Sequence, residues 1–323
     1  MFSLNDICTG REAVFFGYAR TALEYGFRYL GLQNGDEVLY PDLICDVMMV
    51  PCTRLGINVR FYRVNESLEP DFESISGLIR KKTKAILAVN YFGFPQEMKK
   101  LREICDRHGL YLIEDNAHSF LSRSEGSFLG LQGDISILSF RKLIPVVNGA
   151  ALLVNRPVGK GFLDDIRLAS QSLPEEKRTR RLATFFKLLE ARHSVPFSRL
   201  RKRELNLLAH GSTEQEAMDF SADAWSMSVL LSYRYGREAE RRRANYRKWV
   251  ERLEPKGFVP VKELDHETVP SGCPMYVFQR DKWLSYYLKK GFKVSPWPTL
   301  PLYVSRNHDS AVDIWRRLIV FTV

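Results

Sequence analysis

No apolar run in the sequence approaches the roughly 20 residues that cross a bilayer as a helix. The opening, MFSLNDICTGREAVFFGYAR, has no basic end followed by an apolar block, so it is not the pattern of a secretory signal. Cysteine is scarce. Cys8, Cys45, Cys52, Cys105 and Cys273 are odd in number, and no two are spaced C-x-x-C. That argues against a disulfide framework and a zinc site, and the expected setting is a reducing cytoplasm with no metal bound. The short motifs of several enzyme classes are also missing. There is no G-x-S-x-G, no H-E-x-x-H and no G-x-x-x-x-G-K-[ST], and no G-x-G-x-x-G follows a strand.

What is present is a globular composition. The chain has 323 residues and is 45% hydrophobic, enough to core one large or two moderate domains. The net charge of +10 suits a nucleic acid, an anionic membrane surface or an anionic small substrate. The excess is concentrated, with 21 Lys and Arg against 13 Asp and Glu between Arg156 and Arg252. The densest runs are KRTRR (Lys177 to Arg181), RLRKR (Arg199 to Arg203) and REAERRRANYRK (Arg237 to Lys248). They read as solvated helix faces or as an electropositive groove for phosphorylated ligands. Few aromatics interleave with them, which argues against a stacking platform for nucleic acid.

Periodicity divides the chain into alternating elements. A helix is predicted over Phe15 to Leu30, ended by Gly31 and the turn Asn34-Gly35-Asp36. A strand, Glu37 to Tyr40, is stopped by Pro41, and a helix from about Cys45 to Leu55 ends at Gly56. Strand Val59 to Tyr62, helix Phe72 to Arg80, strand Ala85 to Val89, helix Gln96 to His108 and strand Leu110 to Ile113 follow. Apolar strands Ile135 to Phe140 and Ala150 to Val154 come next. Strands alternating with helices imply an α/β fold with a mainly parallel sheet covered on both faces. After Asn155 the pattern changes. His210 to Phe220 reads as a loop, and Trp225 to Leu253 as a long helix or a helix-turn-helix. Short strands (Met275 to Phe278), a helix over Trp283 to Lys290 and the Pro-rich WPTLP follow beyond Gly257. The boundary falls near Gly236, with residues 1–235 as a large domain and 236–323 as a smaller α+β domain.

The chemistry gathers between Tyr111 and Asn155. One apolar strand ends in Glu114-Asp115, and a second is followed at once by Lys142. An acid and an amine at strand ends suggest a site at the carboxyl edge of a parallel sheet. A lysine and an aspartate so placed can serve pyridoxal phosphate, the lysine as Schiff-base amine and the aspartate as partner of the pyridinium nitrogen. A surface lysine and a loop-capping aspartate are the plainer alternative. Arg141 is no substitute for Lys142, because a guanidinium stays protonated. Ser139 could donate to phosphate, and His118 could bond a phenolic oxygen. Ala19-Arg20 opens the first helix, where free amides and a guanidinium could hold phosphate; an ordinary helix start is the alternative. Tyr91 and Phe92 either line a pocket or cover the sheet end.

Taken in order, GYARTALEYGFRYLGLQNGDEVLYPDLIC, AVNYFGFPQEM, HGLYLIEDNAHS, GDISILSFRK, NGAALLVN and REAERRRANYRKW resemble the DegT/DnrJ/EryC1/StrS sugar aminotransferases, fold-type-I pyridoxal-phosphate enzymes. The resemblance covers most of the chain and is weakest from Arg156 to Phe220. It implies a three-layer, mainly parallel large domain with a smaller C-terminal α+β domain. It puts the pyridine-nitrogen aspartate on Asp115, the ring-oxygen contact on His118, the phosphate serine on Ser139 and the Schiff-base lysine on Lys142, with Asn148-Gly149 following. It also implies a homodimer with the site at the interface. The chain departs from the family's pattern in four places. Lys142 follows Ser139 by three residues, fewer than usual. Ala19-Arg20 stands where Gly-Thr is usual, and Cys45 roughly where an aromatic stacks on the ring. The asparagine segment given by the partner subunit has no clear counterpart.

The expected function is transfer of an amino group from glutamate or glutamine to a nucleotide-linked keto sugar, in polysaccharide, lipopolysaccharide or antibiotic sugar biosynthesis. Lys142 would then act as general base, a role that asks of a lysine a proton affinity lowered by its surroundings. Two alternatives stay open, a different pyridoxal-phosphate reaction such as elimination, and a non-catalytic or regulatory relative. Partners are small molecules and a second copy of the chain, with no membrane and no nucleic acid.

Overall fold

The computed structural model describes residues 3–8, 10–157, 162–175 and 219–323. Helix α1 (Leu4–Cys8) leads into β1 (Glu12–Phe16) and α2 (Ala19–Tyr29). Strand β2 (Glu37–Pro41), a 3-10 turn (Asp46–Met49), α3 (Val50–Leu55), β3 (Asn58–Tyr62) and α4 (Phe72–Leu78) follow. Then come β4 (Thr83–Val89), α5 (Met98–His108), β5 (Tyr111–Asn116), the small hairpin β6 (Arg123–Ser124) and β7 (Ser127–Phe128), β8 (Ile135–Ser139) and β9 (Ala150–Val154). Seven of these strands form one sheet in the order β1-β9-β8-β5-β4-β2-β3. Only β9 runs against the rest: its pairs with β1 and β8 are antiparallel, and the other neighbours are parallel. Strands β8 and β9 are buried at every residue. Their unbroken apolar runs are what a sheet covered on both faces requires.

Three local readings change. The first helix begins at Ala19, not Phe15. Phe15 and Phe16 lie in β1, opposite Ala151 and Ala150, because pairing with β9 satisfies a backbone that apolar periodicity alone cannot assign. The turn after β2 is 3-10 from Asp46 and α-helical only from Val50, with a proline in the first turn of α3. Pro41 ends β2 from within rather than stopping the strand before it. Of the two readings of 225–253 the helix-turn-helix holds, as α7 (Ala224–Ser232) and α8 (Tyr235–Leu253), after α6 (Phe162–Gln171). The basic runs at 177–181 and 199–203, and positions 210–218 of the predicted loop, lie outside the described residues.

The C-terminal elements are β10 (Val259–Pro260), β11 (Cys273–Tyr276), α9 (Arg280–Lys289), β12 (Val294–Pro296), α10 (Leu302–Asn307), α11 (Asp309–Arg317) and β13 (Leu318–Phe321). They build a four-stranded antiparallel sheet, β10-β11-β13-β12. Aromatic packing cores it, with Trp249 of α8 against Phe321 at 4.6 Å and Phe258 against Trp283 at 5.1 Å. Backbone contacts join this unit to the large sheet. The Ser271 amide donates to the Phe92 carbonyl at 2.9 Å, and the Tyr276 hydroxyl to the Glu66 carbonyl at 2.6 Å.

Gly93 is where the two backbones meet. Its φ is +101°, and a Cβ there would strike the carbonyl of Val269. Gly93→Ala should therefore cost about 2 kcal/mol or more of folding stability, read as a lower midpoint in urea unfolding. Wild-type stability in the variant would show that the two segments can separate at no cost.

Candidate active site

The strands that end at one edge of the large sheet bring the predicted residues together. Alternation along β5 sends Glu114 and Asp115 to opposite faces. Glu114 is buried and accepts the amides of Gly130, Gln132 and Gly133 at 3.1, 2.6 and 2.6 Å, so it is a structural anion that fixes the loop before β8. Asp115, also buried, faces a cleft. Next to it Asn116 accepts from Asn90 at 2.7 Å and from Ser119 at 2.8 Å, which ties the ends of β4 and β5 together.

Strand β8 runs out at Ser139 into the single 3-10 turn Phe140–Lys142. Phe140 is fully buried and packs edge-on against Phe120 at 5.2 Å, while Arg141 and Lys142 are exposed. This turn accounts for the short interval between Ser139 and Lys142: three residues of 3-10 helix bring the amine back over the strand end. The turn is held from behind. Arg242 of α8, buried, donates to the Leu143 carbonyl at 2.6 Å and to the carbonyls of Pro270 and Ser271 at 3.3 Å, with Glu238 accepting from it at 2.7 Å.

Ala19, Arg20, Cys45, Asp115, His118, Ser139 and Lys142 all line this one cleft. Lys142 Nζ lies 2.8 Å from His118 Nε2. An ammonium has donors only, so Nε2 accepts and the imidazole proton sits on Nδ1. Nδ1 is buried with no hydrogen-bond partner among the described residues, so aromatic packing orients the ring instead. Phe92 stacks on it at 5.5 Å, and Trp297 meets it edge-on at 5.7 Å. Tyr91 and Phe92 are buried and do not line the cleft. They cover the sheet end, and Phe92 backs His118.

Of the three basic runs only the one in α8 lies in the described residues. Of the run in α8, Arg242 and Arg243 are spent on carbonyls, Arg243 on Thr268 at 2.9 Å, and Arg241 on Glu238 at 2.6 Å. They fasten the fold and add no charge to the cleft. The cations lining it are Arg20, Arg141 and Lys142. Arg20 and Arg141 lie 4.6 and 5.2 Å from the Tyr18 ring centroid. Behind them Gly17 donates to the Phe220 carbonyl at 2.7 Å, and its own carbonyl accepts from Gly149 at 2.9 Å. Sequence reasoning passed over Arg141, weighed only as a poor imine former, and Trp297, hidden in the Pro-rich WPTLP. No spacing rule links either residue to the sheet edge.

Burial sets the electrostatics. It raises the Asp115 carboxyl above the ordinary aspartate value, against the opposing pull of Lys142 and the Ala117 amide. It pushes the Cys45 thiol up to about 11, so this cysteine is a neutral wall. Burial first, and then the charge of Lys142, hold His118 well below the ordinary imidazole value of 6.5.

The last shift predicts a pH dependence. Below pH 6.5 the unfolded chain protonates this imidazole and the folded chain does not, so stability should fall as pH drops through that value and onward until the folded ring titrates. Asp115 has the opposite sign. Its contribution is full below the unfolded value of 3.8 and is lost as pH rises through the folded one. In cofactor-free protein, His118→Gln should flatten the denaturant stability profile just below pH 6.5. A slope equal to that of wild type would show that His118 titrates normally.

The sequence pattern of the DegT/DnrJ/EryC1/StrS aminotransferase family matches residues 3–202. The GDP-perosamine synthase of Vibrio cholerae is 34% identical over 161 residues, which cover 49% of this chain and 43% of that protein. The erythromycin biosynthesis sensory transduction protein EryC1 of Saccharopolyspora erythraea is 28% identical over 245 residues, covering 69% of this chain and 66% of that one. The match thus spans less than half the length of the first relative. Among solved structures, PseC of Helicobacter pylori, an aminotransferase involved in the biosynthesis of pseudoaminic acid, superposes with a TM-score of 0.74 at 17% identity, over 99% of this chain and 83% of that one. A DegT/DnrJ/EryC1/StrS aminotransferase from Brucella abortus does so with a TM-score of 0.73 at 17% identity and the same coverage. At such identities the likeness speaks for the fold, and it is the fold-type-I α/β architecture that the sequence motifs imply. With the family pattern spanning more than half of its residues, the chain belongs to the DegT/DnrJ/EryC1/StrS aminotransferase family.

Proposed function

We propose that this chain is a pyridoxal-phosphate-dependent aminotransferase that moves an amino group from glutamate or glutamine to a nucleotide-linked keto sugar. The observation that carries this reading is the meeting of Lys142 Nζ and His118 Nε2 at 2.8 Å in a cleft floored by the buried Asp115. The reading includes a large unit of residues 1–235 and a small one of 236–323, a homodimer, and a cytoplasmic setting in polysaccharide, lipopolysaccharide or antibiotic sugar synthesis.

The cleft's donor set fits pyridoxal phosphate. A buried carboxylate with its proton affinity raised is short of cationic partners, and a protonated ring nitrogen would supply one. The arginines at 20 and 141, the Ser139 hydroxyl and the start of α2 gather donors suited to a phosphate. When bound, pyridoxal phosphate supplies an electron sink that stabilises negative charge at the substrate's reacting carbon. The residues do the rest. Lys142 would hold the group through Nζ and, when its amine is free, would be the base whose Nζ takes up and returns the proton. Asp115 keeps the proton on the ring nitrogen. His118, neutral, would meet the oxygen beside the reacting position through Nε2, donating to it once the ring proton has moved to that nitrogen. Cys45, Ala19 and Ala117 line the cleft without adding charge.

Protein incubated with pyridoxal phosphate and desalted should keep a visible absorption band, and Lys142→Ala should lose it. Glutamate should bleach the band if the chemistry is transamination, whereas an eliminating enzyme would keep it. A wild type that stays colourless would contradict the proposal.

A further inference from the structure

Resting on that reading, we propose that Trp297 is the aromatic wall against which the cofactor's planar ring packs, so that the small C-terminal unit completes the cofactor site. Among the described residues Tyr18 also lines the cleft, and Phe92 lies close behind it. Tyr18 lines it but already carries the guanidinium groups of Arg20 and Arg141, at 4.6 and 5.2 Å from its ring centroid. Phe92 is committed to the imidazole of His118, which it stacks at 5.5 Å. Cys45 offers a thiol and no ring. Trp297 lines the same cleft as Lys142 and Asp115 and is only 5% exposed.

The residue is held as a wall has to be. On one side the Trp315 indole donates to the carbonyls of Trp297 and Pro298 at 3.2 and 3.0 Å. On the other, the Asp46 amide donates to the Thr299 carbonyl at 3.0 Å, and the Thr299 hydroxyl to the Asp46 carboxylate at 2.9 Å. The segment 297–299 is thereby fastened to the turn that carries Cys45. The indole stands edge-on to Phe92 at 5.3 Å and to His118 at 5.7 Å. Its own Nε1 is buried without a hydrogen-bond partner among the described residues, although a buried indole N–H usually finds one. The backbone on either side of the ring is thus fastened, and the indole packs into the core on one side while lining the cleft on the other.

Pyridoxal phosphate titrations followed by absorbance should show Trp297→Leu binding about tenfold more weakly than wild type. Trp297→Phe should stay close to wild type. In Trp297→Phe the ultraviolet difference spectrum on uptake should also lose an indole component, a readout that serves if the leucine variant does not fold. Wild-type affinity in Trp297→Leu, or an unchanged difference spectrum in Trp297→Phe, would overturn the inference while leaving the proposed function intact. A wild type that takes up no pyridoxal phosphate would remove both.

Discussion

Lys142 and His118 touch at 2.8 Å beside the buried carboxylate of Asp115, and that contact constrains everything around it. A carboxylate taken out of water needs a counter-charge, and a lysine needs a reason not to swing into solvent. The imidazole is kept neutral by its burial and by the amine it faces, so it can accept from the ammonium without adding a second positive charge. The three groups come from two adjacent strand ends, β5 and β8, joined in register through Asp115 opposite Ile137. A slip of one residue would turn Asp115 away and put Glu114, now bonded to three amides, in its place.

The surrounding fold serves to hold that arrangement. Phe140 anchors the turn in the core, and Arg242 grips the carbonyl directly after Lys142 together with two carbonyls of the small unit's connection. The basic helix therefore contributes stiffness through Arg242, and its residues Arg237, Arg241, Arg247 and Lys248 form the solvated face that was one of its two readings. Each of the three guanidinium nitrogens of this buried arginine donates to a carbonyl or a carboxylate, which makes it a clamp rather than a ligand-binding cation. The charge that faces the cleft comes instead from Arg20 and Arg141, gathered over Tyr18.

Much of this was legible in the chain itself. Continuous apolar runs such as Ala150 to Val154 coincide with their strand, and the residues carried over from the family motifs all line one cleft. Boundaries failed where one residue type suits two periods, as at Phe15 and Phe16, which pair with β9 instead of opening a helix. Trp297 failed for another reason. It reaches the site only because the small sheet folds back on the large one, and a long-range contact of that kind leaves no spacing behind. Arg242 was visible as a charge but not as a clamp, since its three carbonyl partners lie on loops remote in sequence.

The claim that Lys142 is the reactive amine of this cleft can be tested directly. Protein loaded with pyridoxal phosphate is reduced with borohydride, digested and mapped by peptide mass spectrometry. The account predicts a pyridoxyl group on Lys142. A label on another lysine in its place, or no label on a protein that remains folded, would contradict it.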